Sequence, residues 1–389
     1  MSTAKDTALP ATLAVVRVEE LRTPAALVDL EVVERNTSRM SARAAKLGTR
    51  LRPHVKTHKT LEGARLQVRG HFGGITVSTL AEAEFFARGG FTDITYAVPI
   101  SPAKLAEAAA LARRLERFGI LLDDADVADA AEACARASGV RLSVFLKVDC
   151  GAHRAGVDPD LDASVALAGR LAGSPGLELR GILTHAGQSY RCRSREEIAA
   201  VAAHERYVMT AFAARLRGVG IAVGDVSVGS TPTLSVAEDL TGVTEVRPGN
   251  YVFFDATQVA IGSCVLRDVA FSVLARVIGR YPSRRELVVD AGALALSKDP
   301  GPVHVDPACG FGIVLDLDGA PVDGMRVASL SQEHGVLRYA RDLAPGELPV
   351  GSALRIVPNH SCLAAALFDR YHVTAGREVV AEWRPVRGW

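Results

Sequence analysis

The sequence predicts an α/β protein: a closed parallel (β/α)8 barrel of the TIM type, followed by an all-β domain. Three observations predict it. Apolar, β-branched runs alternate with alanine-rich helical stretches from about residue 50 to 255, and about eight such runs can be counted. After about residue 265 the helical period fades, and short β-rich segments with Gly and Pro turns take over. The 389 residues exceed one small module, and 48% apolar with 23% charged residues is the profile of a globular protein with a large core.

The expected organisation is an N-terminal extension over 1–22, a barrel over 23–265 and a β domain over 266–389. The barrel strands are expected at 50–56 (RLRPHVK), 74–78 (GITVS), 93–98 (DITYAV), 118–122 (FGILL), 141–149 (RLSVFLKVD), 179–185 (LRGILTH), 225–229 (DVSVG) and 244–253 (TEVRPGNYVF). An open doubly wound sheet alternates the same way, but the count favours a barrel with right-handed crossovers. One helix is expected after Ser101 as N-cap, with Pro102 at its first position. Leu105, Ala108, Ala112 and Leu115 then share a face, and Gly119 ends the helix. Another is expected from Asp158-Pro159 to near Gly173 and Pro175. Beyond 265, FSVLARVIGRYP, ELVVDAG, GIVLDL, MRVASLSQEHGVLRY and ALRIVPNHSC read as strands. The strand TPAALVDL (23–30) precedes the barrel count and is a candidate to pair with that later sheet.

Composition removes several classes. Lys plus Arg is 45 and Asp plus Glu is 44, a net charge of +1, which argues against a nucleic-acid or polyanion binder. No run reaches the ~18 apolar residues of a membrane span. The start, MSTAKDTALPATLAVVRVEE, has only a short apolar patch before it turns acidic, so no signal peptide is expected. Cysteines at 134, 150, 192, 264, 309 and 362 form no compact framework, which fits a reducing cytoplasm.

The candidate chemistry lies at strand ends. RLRPHVKTHK puts Lys56 at the C-terminal end of the first barrel strand, the end that carries chemistry in barrels. Alternation would put His54, Lys56 and His58 on one face. A polar triplet facing inward is costly unless it binds something. On spacing alone the same segment also reads as a solvated basic loop. Arg154 follows the fifth strand and His185 ends the sixth, and either could equally brace a loop or fill the core. GSTPT begins at Gly229 after an apolar strand, where small residues let backbone N–H groups approach an anion. It lacks the GxxxxGK[ST] pattern, so nucleotide hydrolysis is not suggested. PNHSC sets His360 and Cys362 two residues apart, on one face of an extended strand, and imidazole plus thiolate suits zinc. SQEHG brings Gln332, Glu333 and His334 to the same region, with His334 as either an assisting group or a turn histidine.

PHVKTHK resembles the cofactor-lysine segment of pyridoxal-phosphate (PLP) enzymes with an alanine-racemase-type barrel. More narrowly it resembles the D-threonine aldolase and D-serine dehydratase branch. TPAALVDL, KVDCGAHRAGV, THAGQSY, VSVGSTPT, RPGNYVFFD, SQEHG and PNHSC fall in the family's order, so the resemblance covers nearly the whole chain.

The resemblance implies that Lys56 forms the Schiff base with PLP and takes the Cα proton of a D-amino acid. It implies Arg154 near the cofactor's phenolic oxygen, His185 against the pyridine ring and Tyr190 over the site. It makes Gly229, Ser230 and Thr231 phosphate contacts, with Gly249, Asn250 and Tyr251 completing the cup. Arg247 aligns with the racemase position facing the pyridine nitrogen, with its role here open. The metal would sit on His360 and Cys362. HxC resembles the D-serine and D-3-hydroxyaspartate dehydratases, whereas the aldolases resemble HxD. The softer cysteine favours Zn2+ over Mn2+ or Mg2+. The expected activity is therefore dehydration of a D-3-hydroxy amino acid to a 2-oxo acid and ammonia. Retro-aldol cleavage to glycine and an aldehyde uses the same site, and a non-catalytic PLP-binding protein is the alternative of another class. The family implies a homodimer.

Overall fold

The structure is a computed structural model that describes residues 16–389; the expectation of no leader rests on residues 1–15, which lie outside the described residues. After a 3-10 turn (Val18–Glu20) the chain forms strand β1 (Ala25–Asp29). Asp29 ends it and caps the helix Leu30–Lys46, its Oδ1 accepting the N–H of Val32 at 3.1 Å.

The barrel strands follow as β2 (Arg50–Leu51), β3 (Ile75–Val77), β4 (Asp93–Pro99), β5 (Arg117–Leu122), β6 (Leu142–Lys147), β7 (Leu177–Leu183), β8 (Asp225–Val228) and β9 (Glu245–Val246). They hydrogen-bond in the order β2-β9-β8-β7-β6-β5-β4-β3. Every neighbouring pair is parallel. A parallel bridge between His54 and Thr76 joins the two ends of this row, with the N–H of Thr76 donating to the carbonyl of Pro53 at 2.9 Å. All eight expected runs therefore carry a strand, and the row closes into a ring.

Several boundaries differ from expectation. The first strand stops at Leu51 rather than reaching residue 56, because Pro53 lacks an N–H and the chain turns at His54. The last one covers Glu245–Val246 rather than 244–253, since Pro248 and Gly249 break it. After Ser101 a single 3-10 turn precedes the helix Leu105–Arg114, which ends well before Gly119. Gly119 lies inside β5, where a Cβ would stand 3.1 Å from the Phe145 ring. The helix expected from Asp158 starts at Asp162.

Buried charges run up the barrel interior. Arg52, 1% exposed, donates to Glu245 at 2.7 Å and to Asp93 at 2.6 and 3.1 Å. Ser227 donates to Glu245 at 2.7 Å and accepts from Arg247 at 2.6 Å, and Arg247 also bonds the carbonyl of Thr184. Each buried charge thus has a partner, and removing one would cost about 3–5 kcal/mol by stranding the other.

The second sheet contains β10 (Phe271–Tyr281), β11 (Glu286–Val289), β12 (Gly312–Leu315), β13 (Pro321–Leu330), β14 (Gly335–Tyr339), β15 (Ala353–Pro358), β16 (Tyr371–Ala375) and β17 (Glu378–Trp383). Its order is β11-β14-β13-β12-β15-β10-β1-β16-β17, with β11 also pairing β10. β1 lies between β10, to which it is antiparallel, and β16, to which it is parallel. At the seam with the barrel, Phe253 stacks on Phe271 at 5.4 Å and meets Tyr371 edge-on at 6.0 Å. Such pairs add about 0.5–1.5 kcal/mol each beyond area burial. Among the described residues, no helix is long and apolar enough to cross a membrane.

Candidate active site

The C-terminal ends of the barrel strands enclose a cavity of about 170 Å³, lined by His54, Lys56, Ser78, Lys147, Arg154, His185, Gly229 and Arg247 among others. A larger hollow of about 680 Å³ lies beside Arg39, Arg43 and Arg195, but no lysine or histidine lines it. Chemistry rather than size marks the strand-end cavity as the site.

Lys56 reaches it from a 3-10 turn, Val55–Thr57, and not from a strand. A period of three sends the three side chains different ways. Val55 enters the barrel core, Lys56 lines the cavity and the Thr57 hydroxyl lies 3.2 Å from the Cys362 sulfur. The inward triplet is therefore corrected at His58. That ring is fully buried, 2.9 Å from Gln67 and 3.1 Å from Thr60, and does not line the cavity. Burial pushes it down to about 4.

His54 and His185 are both held well below the ordinary imidazole range, first by burial and then by the positive charge of Lys56. The cavity thus combines two neutral imidazoles with cationic groups. Lys147, only 5% exposed, is brought down to about 8 by burial and by Arg247. Burial brings Arg247 itself to about 10. Arg154 is exposed at the mouth. Tyr190 stands beside His185, ring centroids 6.3 Å apart.

The expected phosphate cup divides by its hydrogen bonds. The N–H of Gly229 donates to Glu205 at 3.0 Å and that of Ser230 to Thr233 at 2.9 Å. The N–H of Tyr251 donates to the Thr231 hydroxyl at 3.1 Å, and its phenol is buried in the barrel core. Those three residues shape the cup with their N–H groups already bound. Among the described residues, the N–H groups of Gly249 and Asn250 have no acceptor, while that of Thr231 faces the Tyr190 phenol oxygen. Buried N–H groups need partners, and an anion would supply one. Gly249 is required here, since a Cβ would stand 2.7 Å from the His54 carbonyl oxygen.

His360 and Cys362 follow β15, yet not on an extended strand. His360 stands just before the short helix Ser361–Ala365, and Cys362 lies in its first turn. They still act on one another. Burial resists charge on both, but their mutual attraction outweighs it, bringing the imidazole up to about 9 and the thiol down to about 7. Asn250 donates to Asp255 and to Ser361, both at 2.9 Å, and lies 3.6 Å from the Cys362 sulfur. Among the described residues, no third His, Cys, Asp or Glu joins the pair as a metal cluster. His334 is not brought to this site. It is exposed in the turn between β13 and β14, where its carbonyl accepts the N–H of Ser331 at 2.9 Å, and it does not line the cavity.

Sequence reasoning missed Glu205, Thr57 and Asp255. Glu205 is one acid in a long helix and carries no local signal. Asp255 was legible as the N-cap of Ala256–Ala260, with its carboxylate accepting the N–H of Gln258.

Residues 28–257 match the alanine racemase N-terminal domain family, and residues 270–374 match a putative serine dehydratase domain. The chain is 42% identical to the D-threo-3-hydroxyaspartate dehydratase of Delftia sp. (strain HT23), over 95% of this chain and 98% of that protein. The solved Delftia structure superposes with a TM-score of 0.92, at 41% identity, over 96% of this chain and 100% of that one. A cysteine-to-alanine mutant of it is described in a metal-free form. Identity is 37% to the D-serine dehydratase of Dictyostelium discoideum, over 96% and 98% of the two chains. It is 31% to the D-threonine aldolase of Arthrobacter sp., over 87% and 85%. By both matched domains and by these identities, the chain belongs to the D-serine dehydratase and D-threonine aldolase family of PLP-dependent lyases.

Proposed function

We propose that this protein dehydrates D-3-hydroxy amino acids to 2-oxo acids and ammonia, with PLP in the barrel cavity and a divalent metal on His360 and Cys362. One observation carries the reading. The Thr57 hydroxyl is 3.2 Å from the Cys362 sulfur, and the Lys56 charge also acts on that thiol, which supports one substrate meeting both the lysine and the thiol.

The residues present fit both groups. Gly249 and Asn250 offer free N–H groups that would hold a phosphate, neutral His185 offers an uncharged ring face, and Arg154 and Lys147 line the same cavity as cations that would hold a phenolate. Imidazole plus thiolate suits zinc, and two protein donors leave positions for water or substrate. Bound PLP supplies an electron sink for negative charge at Cα, and the metal supplies Lewis-acid polarisation of the β-hydroxyl. Lys56 would hold the cofactor, and its Nζ is the base in the cavity for the α-proton. Arg154 and Lys147 hold positive charge beside the ring. Tyr190 and His185, neighbours at the cavity, would flank the ring.

Identity is higher to the two dehydratases than to the aldolase, which favours elimination over carbon–carbon cleavage. The family expectation of a homodimer belongs to this reading, as does the HxC pair. Product analysis tests it with D-serine, D-threonine and D-threo-3-hydroxyaspartate in the presence of PLP and zinc. 2-Oxo acid and ammonia are expected. Glycine and an aldehyde would show the aldolase instead, and no product would leave a PLP-binding protein.

A further inference from the structure

Glu205 is a buried carboxylate that no step above uses. It projects from the helix Arg195–Gly218 and is 2% exposed. Its Oε1 accepts two backbone N–H groups, from Ala186 at 3.1 Å and from Gly229 at 3.0 Å. Those N–H groups belong to different loops, one after β7 and one after β8. The first loop carries His185 at the ring position, and the second carries Thr231 at the phosphate position. A second tie joins the same loops, with the Ser189 and Ser230 hydroxyls 2.9 Å apart. Gly229 sits at φ +106, a conformation that glycine tolerates and other residues rarely adopt. The backbone there is therefore soft, and something outside the loop must fix it.

We propose that Glu205 is a positioning residue for the cofactor: by binding both N–H groups with one oxygen, it sets the gap between the ring-facing histidine loop and the phosphate cup. The inference rests on the proposed PLP-dependent function. A side chain of this length with an sp2 oxygen suits the task, because one such oxygen has two lone pairs and can accept both N–H groups. Glu205 also engages the N–H of Gly229, so the phosphate is left to the N–H groups of Gly249 and Asn250.

The test uses protein freed of cofactor and titrated with PLP and with pyridoxal, which lacks the phosphate. Glu205→Gln keeps an oxygen that accepts both bonds, and its PLP affinity should stay within about twofold of wild type. Glu205→Asp keeps the charge but is one methylene shorter, so it cannot reach both loops. It should lose at least about tenfold in PLP affinity and clearly less in pyridoxal affinity, with a shifted visible absorbance of the bound cofactor. General destabilisation would weaken both ligands alike. An aspartate variant with the wild-type ratio of the two affinities overturns the proposal, as does a glutamine variant that loses as much as the aspartate one. A wild-type protein that takes up no PLP overturns the proposed function, and this inference with it.

Discussion

The Lys56 charge acts on the Cys362 thiol, yet substitutions at the two residues should fail differently. Lys56→Ala removes the only attachment point argued for the cofactor. Both the visible absorbance of lysine-bound PLP and turnover should vanish, and an unchanged spectrum would remove Lys56 from its role. Cys362→Ala leaves that attachment intact, so the absorbance should remain while dehydration falls by at least about 100-fold, read by 2-oxo acid release. His58, two residues from Lys56, does something else. Its imidazole is held at about 4, below the ~6.5 of a free histidine. As pH falls the unfolded chain therefore binds its proton first, so this stability is complete above about pH 6.5 and is lost between there and about pH 4. The shift is worth up to about 3 kcal/mol. Tm should drop from pH 7 to pH 5, and His58→Gln should flatten that slope; an equally steep variant would exclude His58 as its source. Spacing left His54 and Lys56 open between a site and a solvated loop, and only the resemblance of PHVKTHK favoured a site; both line the cavity. His58 was misplaced, because alternation assumed a strand where a 3-10 turn had begun.

The elements that hold the site are the short, irregular ones. The turn Asn250–Val252 lies directly against the chain at His54, with Gly249 at the contact. A methyl group added at Gly249 would meet the His54 carbonyl oxygen at 2.7 Å and its Cβ at 2.9 Å. Neither neighbour is the free end of a flexible side chain, so the turn must retreat. Gly249→Ala should cost about 1–3 kcal/mol of overpacking and lower PLP affinity by at least about tenfold. Calorimetry together with a cofactor titration would show both effects, and a wild-type affinity would mean that the cup does not depend on this approach. The eight barrel runs were legible because each is a buried apolar stretch bounded by turns. The working turns were not, since Pro53, Pro248 and Gly249 end the strands earlier than the apolar pattern does. The HxC pair was found for a reason that did not hold: its two residues straddle a helix start instead of sharing a strand face.

At the scale of the molecule, sequence order and spatial order disagree, and that has consequences for unfolding. The first strand, β1, lies inside the second sheet, antiparallel to β10 and parallel to β16, while the helix it leads into packs on the barrel side. The pairing of β1 with the later sheet was raised by its position ahead of the barrel count; its place between two strands almost a full chain away required the coordinates. The seam is closed by Phe253 against Phe271 and Tyr371, and Thr57 crosses it to meet Cys362. Pulling the barrel away would strand apolar rings on both sides and open the sheet at β1. The two parts therefore cannot melt independently. One calorimetric transition is expected, with calorimetric and van't Hoff enthalpies in agreement. Two resolved transitions would mean that the seam contributes little. A chain beginning at residue 31 should separate these terms further. It keeps every barrel strand but leaves β10 and β16 without the strand between them, and it should be recovered aggregated, because two freshly exposed strand edges are ready to pair with other chains.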